Sequence, residues 1–168
     1  MPAAVAIRDG AAADVPALAR IHAAARAATM PGLVERHDIE AVAGWLATPL
    51  MTRHRVRVAA PGIPVGSIAF GQDAADGPMV LHLHLDPGWH RRGIGTRLLA
   101  EATTALGPRL SLPCIARNTG ARAFYERHGF RVAATGDGAG TEDGEPDTLY
   151  ARDAGTPNTD ITTSGSTP

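Results

Sequence analysis

The run His82-Leu83-His84-Leu85-Asp86-Pro87-Gly88-Trp89-His90-Arg91-Arg92-Gly93-Ile94-Gly95-Thr96-Arg97-Leu98-Leu99 passes from a strand-like stretch, through a turn, into an apolar-periodic helix. Glycines let a backbone approach an anion closely and reach conformations closed to other residues. The first turn of a helix leaves N–H groups unpaired, and its dipole favours negative charge. Together these features make a phosphate or pyrophosphate site. No acid stands between Arg91 and Ala100, while Arg91, Arg92 and Arg97 add positive charge. Two familiar phosphate loops do not fit. Walker A needs Gly-Lys-[Ser/Thr], and the chain has no lysine. The dinucleotide fingerprint needs a third glycine and usually follows the first strand. Here Leu98 holds that place, and several strands come before. On the loop alone, a phosphate cradle and a helix start whose glycines serve packing are equally good readings.

Other residues could move protons. Tyr125, in Asn118-Thr119-Gly120-Ala121-Arg122-Ala123-Phe124-Tyr125-Glu126-Arg127-His128-Gly129-Phe130, has a hydroxyl suited to a general acid or to amphipathic packing. Asn118 is a natural helix cap. His82 and His84 share one strand face in simple alternation, opposite Leu81, Leu83 and Leu85. Strand histidines more often pack or hydrogen-bond than act as a base. Glu35 and Glu40 are further base candidates. Between Asp137 and Asp147 stand five acids (Asp137, Glu142, Asp143, Glu145, Asp147) and no basic residue. Such a rim could draw a cationic amine or simply be a solvated hairpin tip. Cys114 reads as a small buried apolar residue.

These residues need a scaffold. Val5–Arg8 is β-prone. Asp14, as N-cap, precedes a helix with Val15, Leu18, Ile21 and His22 that should end before Pro31-Gly32. A second helix is expected over about Asp38–Leu46, with Ile39, Val42 and Trp45 or Leu46 on one face and Pro49 as its stop. His54–Ala59 and Pro64–Phe70 read as paired strands, with Val56 and Val58 opposite Arg55 and Arg57. Gly71–Pro78 reads as a loop and Met79–Leu85 as a strand. A helix from Ile94 should turn Leu98, Leu99, Ala102 and Leu106 inward. Leu110–Ile115 is a strand despite Pro113. Asn118 to about His128 is a helix with Gly129 at its end, followed by strands Phe130–Ala134 and Thr148–Arg152. The order is β, two helices, three strands, α, β, α, β, β, which makes a mixed α/β fold in one domain over residues 1–152. Residues 153–168, rich in Gly, Thr, Ser and Pro, are expected to form an unstructured tail.

Composition narrows the class. The 168 residues suit one domain that needs no staple. Sixteen basic residues, all arginine, against 17 acids leave a charge of −1. That balance argues against nucleic acid and polybasic membrane-surface binding. The 32 alanines with no lysine point to a GC-rich coding genome rather than to a function. One cysteine excludes an internal disulfide and a cysteine-cluster zinc site, and no metal is expected. No apolar run approaches 18 residues and no signal-peptide pattern opens the chain, so a cytoplasmic setting is expected.

The two segments, in this order and about 25 residues apart, resemble the GNAT family of acetyl-CoA-dependent N-acetyltransferases. The resemblance spans most of Val5–Arg152. The family's loop pattern is Gln/Arg-x-x-Gly-x-Gly/Ala; Gly93 and Gly95 match, and His90 takes the Gln/Arg place. The second segment matches Asn-x-x-Ala-x-x-Phe-Tyr-x-x-x-Gly-Phe without a gap. The resemblance implies a twisted sheet of six to seven strands with about four helices. It also implies a splayed parallel pair, here Met79–Leu85 and Leu110–Ile115, between which acetyl-CoA lies. A splay would explain Pro113, which has no N–H to lose there. The main chain around Leu83 and Leu85 would hold the pantetheine arm and acetyl carbonyl. The loop Arg91, Arg92, Gly93, Ile94, Gly95 and Thr96 would hold the pyrophosphate, and Asn118 would touch the arm. Tyr125 takes the general-acid place in direct transfer to a primary amine of a small molecule or peptide. Many members carry a Glu where this chain has Met79. Others use two strand histidines, but His82 and His84 are offset from that pair by three, the wrong face unless a bulge restores parity. The alternative function is a non-catalytic acyl-CoA-binding sensor or interaction domain. A homodimer is compatible with the sequence and not required by it.

Overall fold

The computed structural model describes residues 4–141 and 143–153. The expected tail thus falls almost wholly outside the described residues, as does Glu142. Seven strands form one sheet: β1 Ala6–Asp9, β2 Arg55–Ala60, β3 Gly66–Asp73, β4 Gly77–Leu85, β5 Leu110–Ile115, β6 Arg131–Gly136 and β7 Asp147–Arg152. Their order is β1-β2-β3-β4-β5-β7-β6. Every neighbouring pair is antiparallel except β4 with β5. The helices are α1 Val15–Thr29, α2 Ile39–Trp45, α3 Ile94–Leu106 and α4 Thr119–Arg127.

The sheet separates two apolar layers. On one face, Leu18 and Ile21 of α1, with Leu46 and Leu50, pack on Val56, Val58, Ala60 and Ala69. On the other, Leu98, Leu99 and Ala102 of α3 and Tyr125 of α4 pack on Ile68, Phe70, Leu112 and Tyr150. Each fully buried aliphatic side chain contributes about 1.5–3 kcal/mol, so these stripes hold the helices on. Arg57 lies opposite Val56 and Val58, as the alternation predicts, and pairs with Glu101 of α3 and Asp9 of β1.

Four expectations need correction. Pro49 does not stop the second helix. The chain continues from α2 through a π-turn, Leu46–Leu50, and a last turn, Met51–Arg53. A wider turn suits a proline, which has no N–H and crowds the preceding carbonyl. Ile39 and Trp45 are exposed, while Leu46 and Leu50 carry the burial. Gly71–Pro78 is not a loop but a tight hairpin, with Gly71↔Met79, Gln72↔Pro78 and Asp73↔Gly77 in register. Asp73 caps its turn by accepting from the N–H groups of Ala75 and Asp76, and Gly77 supplies a positive φ. Asp14 does not cap α1. Its carboxylate instead accepts the Ala11 N–H and two guanidinium bonds from Arg8, all at 2.8 Å.

The fourth correction bears on the site. Ala69 pairs with His82 but Phe70 with Val80, so Leu81 is an extra residue in β4. A bulge of this kind breaks the two-residue alternation. Val80, Leu83 and Leu85 therefore share the α3 face, while Leu81 joins the layer under α1. His82 and His84 also face α1 and α2, where they meet Trp45 and His22.

Candidate active site

The parallel pair is held in register only at Met79↔Ser111. Beyond that point β4 and β5 diverge, and a cavity of about 380 Å³ opens between them. Leu81 to His84 line one side, and Leu112, Pro113, Cys114 and Ile115 the other. Pro113 sits where no β4 partner is lost, and it pairs across β7 with Leu149. A crevice at the carboxyl ends of parallel strands is where open α/β sheets bind ligands.

The glycine loop continues from β4. Asp86 accepts from the Gly88 N–H at 2.8 Å and starts a single 3₁₀ turn, Pro87–Trp89. Arg91 has φ 59° and Gly93 φ 76°, two left-handed positions that curl main-chain N–H groups around the start of α3. The two glycines of the motif do different work. Gly93 caps α3 in the left-handed region, and a Cβ there would meet nothing within 4 Å, which leaves the approach open. Gly95 has ordinary helical backbone, but a Cβ would stand 3.3 Å from the Phe124 ring. It therefore sets how closely α3 and α4 pack. Gly95 thus serves packing, and Gly93 serves the backbone turn that starts α3.

Not every expected arginine faces that site. Arg92 stacks over Trp89 at 4.7 Å, and Arg97 donates to the Val5 carbonyl at 2.9 Å. Arg97 thus anchors the chain ahead of β1. Ile94 is buried in the core, and Thr96 is exposed in the first turn of α3. His90 is also exposed, and its ring approaches the Leu85 carbonyl at 3.3 Å.

On the α4 side, Asn118 is the cap the sequence predicts: its Oδ1 accepts the Ala121 N–H at 3.1 Å. It also lines the cavity with Ala121 and Tyr125. Tyr125 is buried among Phe124, Phe130 and Tyr150, with ring centroids 5.4, 5.9 and 6.2 Å away. Burial pushes its hydroxyl well above the usual tyrosine range, and nearby Cys114 adds to that. The Cys114 thiol is itself pushed up to about 11 by burial. Behind Tyr125, the buried Tyr150 donates to Glu126 at 2.8 Å and accepts from Arg122 at 3.0 Å, fixing α4 to β7.

The far wall was only partly legible in the sequence. His82 and His84 both line the cavity, their Nδ1 atoms 2.9 Å apart. One ring must hold the bridging proton and the other accept it. His22 of α1 packs edge-on to His84 at 4.6 Å, and Trp45 lies 5.8 Å from His82. Burial holds all three rings neutral, with His82 drawn down to about 3. In the sequence His22 belongs to an apolar stripe, and Arg26 and Trp45 carry no local signal. Arg26 donates to Glu35 at 2.8 Å and pairs with Asp143 at 3.1 Å. This joins α1, the chain before α2 and the β6–β7 connection. Asp143 and Asp147 line the cavity, whereas Glu145 is tied to Arg117 and Asp137 caps its own turn. Glu40 lies in the first turn of α2, exposed and outside the cavity lining. No group of three or more His, Cys, Asp or Glu side chains among the described residues is placed to hold a metal ion.

A sheet splayed beside a glycine-led helix start, with a buried tyrosine lining the opening, makes up the candidate site. A model of the acetyltransferase (GNAT) domain matches residues 52–132, from the end of the second helical region into β6. Over that stretch the chain is similar to the GNAT acetyltransferases. Solved structures share the fold. An acetyltransferase from Thermus thermophilus is 23% identical, with TM-score 0.71, over 90% of this chain and 99% of that one. The PaiA N-acetyltransferase of Thermoplasma acidophilum, in complex with coenzyme A, is 21% identical, with TM-score 0.70, over 89% and 98%. Apo YjaB from Escherichia coli is 21% identical, with TM-score 0.70, over 88% and 97%. No curated sequence relative matches the chain. No helix among the described residues is long and apolar enough to cross a membrane.

Proposed function

We propose that the protein transfers the acetyl group of acetyl-CoA directly to a primary amine of a small molecule or peptide. The observation that carries this reading is the opening of the β4–β5 pair beside Tyr125, with the Gly93 loop at the end of β4. The cavity, lined by a strand that has lost its neighbour and followed at that strand's end by the Gly93 loop, fits an extended arm ending in a pyrophosphate. Bound acetyl-CoA supplies an activated acetyl thioester. The main chain at Leu83 and Leu85 orients the arm, with an N–H available to a developing oxyanion. Residues 91–96 hold the phosphates through N–H groups and the dipole of α3. Asn118 stands against the arm.

Tyr125 keeps its proton at every physiological pH and presents it to the departing sulfur. The three histidines offer neutral lone pairs, but at about 3 His82 is too weak a base to strip an alkylammonium, ordinarily near 10. The amine therefore reacts from its neutral form. Asp143, Asp147 and the carboxylate partner of Arg26, Glu35, raise the local concentration of the cation from which it derives.

The test is thiol release from acetyl-CoA over a panel of primary amines. Amine-dependent release with a stoichiometric N-acetyl product is expected. Tight acetyl-CoA binding with no release on any amine would make the domain an acyl-CoA-binding module instead.

A further inference from the structure

His128 follows α4 directly and lies against the first turn of α3. Its Nδ1 is 2.7 Å from the Phe124 carbonyl, and its Nε2 is 3.0 Å from the Thr96 hydroxyl. The ring also stacks on Phe124, centroids 4.3 Å apart, so its orientation is held on two sides. A carbonyl only accepts, which makes Nδ1 the protonated nitrogen of the neutral ring. Nε2 is then bare, and the Thr96 hydroxyl must be the donor between them. The one proton Thr96 has is thereby turned away from the start of α3, and the hydroxyl shows any anion there its lone pairs. Protonating His128 reverses this. Nε2–H donates to the Thr96 oxygen, and the Thr96 proton is released toward the helix N-terminus.

We propose that His128 is a coenzyme-linked proton site, which on taking up a proton turns Thr96 into a donor for the pyrophosphate held at the start of α3. The inference rests on the reading of residues 91–96 as the phosphate loop. Thr96 faces the ring from α3, the main chain of Phe124 and Tyr125 from α4, and Arg152 from β7, whose guanidinium donates to the His128 carbonyl at 3.3 Å. Arg127 precedes it in sequence, and among the described residues no carboxylate is hydrogen-bonded to it. An anion in the loop is the negative charge that favours the protonated ring. Binding therefore takes up a proton, and affinity falls as pH rises.

The probe is dephospho-CoA, because the 3′-phosphate of CoA is a monoester that titrates near pH 6 by itself. Binding is measured by calorimetry at about pH 6 and about pH 8, in two buffers of different protonation heat. Wild type should bind roughly tenfold tighter at the lower pH, the scale of one charge-assisted hydrogen bond, with a buffer-dependent heat that reports proton uptake. His128→Gln and Thr96→Val should lose both effects, and Thr96→Ser should keep them. Equal affinity at both pH values in wild type overturns the inference. So does a pH dependence that survives in both His128→Gln and Thr96→Val. Failure of dephospho-CoA to bind at either pH overturns the loop reading and the inference with it.

Discussion

Tyr125 shows how environment selects a role for a residue. Burial raises its hydroxyl far above the usual range, so it never ionises near neutrality. The same shift makes complete transfer to a thiolate, ordinarily near 8.5, uphill. In the proposed transfer its contribution is therefore a hydrogen bond that strengthens as charge grows on sulfur. Tyr125→Phe keeps the ring packing and should lower turnover by about 10²-fold or more, with acetyl-CoA affinity within threefold; single-turnover thiol release together with equilibrium binding checks this. Tyr125 and Asn118 were legible in the sequence because both belong to one short helical segment of fixed spacing. His22 and Arg26 were not, because they reach the cavity from α1, far earlier in the chain.

At the scale of elements, local chemistry decides joints that periodicity passes over. Gly93 is needed for its backbone: Gly93→Ala meets no neighbour but must hold φ 76°, at a cost of about 1–2 kcal/mol. Thermal unfolding should register that loss, and affinity for CoA should fall with it, since the same strained joint aims the loop N–H groups. Asp14 makes another joint, between β1 and α1. The Arg8 guanidinium, with help from the Ala11 N–H, holds its carboxyl below the usual range despite burial. A depressed carboxyl stabilises the fold above its unfolded pKa, about 3.9, and loses that contribution as pH falls through the folded value. Asp14→Asn should therefore cost about 1–2 kcal/mol at neutral pH, discounted because Arg8 is partly exposed. The gap from wild type should shrink below about pH 4. Urea unfolding at both pH values tests the sign. Most strands and helices were legible to within a residue or two, because each buries one face with its own period; the helical turns past Pro49 and the extension of β3 to Asp73 were not. The bulge at Leu81 was not, because an extra residue in a strand leaves no mark in a run of alternating Leu and His.

At the scale of the whole molecule, the cavity is assembled from both sides of the sheet. Arg26 bonds Glu35 and Asp143, tying together three segments that have no strand pairing with one another. Arg26→Met leaves two carboxylates unpaired beside half-buried histidines and should cost about 1–3 kcal/mol. It should raise the KM of an amine acceptor several-fold, leave CoA affinity unchanged, and speed proteolytic cutting between β6 and β7. An acceptor KM and a cleavage rate equal to wild type would show that the clamp plays no part in the site.

The amino-acid sequence by itself determined the order of elements, the glycine-led helix start and the tyrosine helix, because each depends on residues close together in the chain. The tertiary structure decided which strand face His82 and His84 occupy, which arginines are engaged elsewhere, and what closes the α1 side of the cavity. These follow from a register shift between β3 and β4 and from contacts between distant segments. Such contacts form where packing brings side chains together, and no spacing along the chain encodes them.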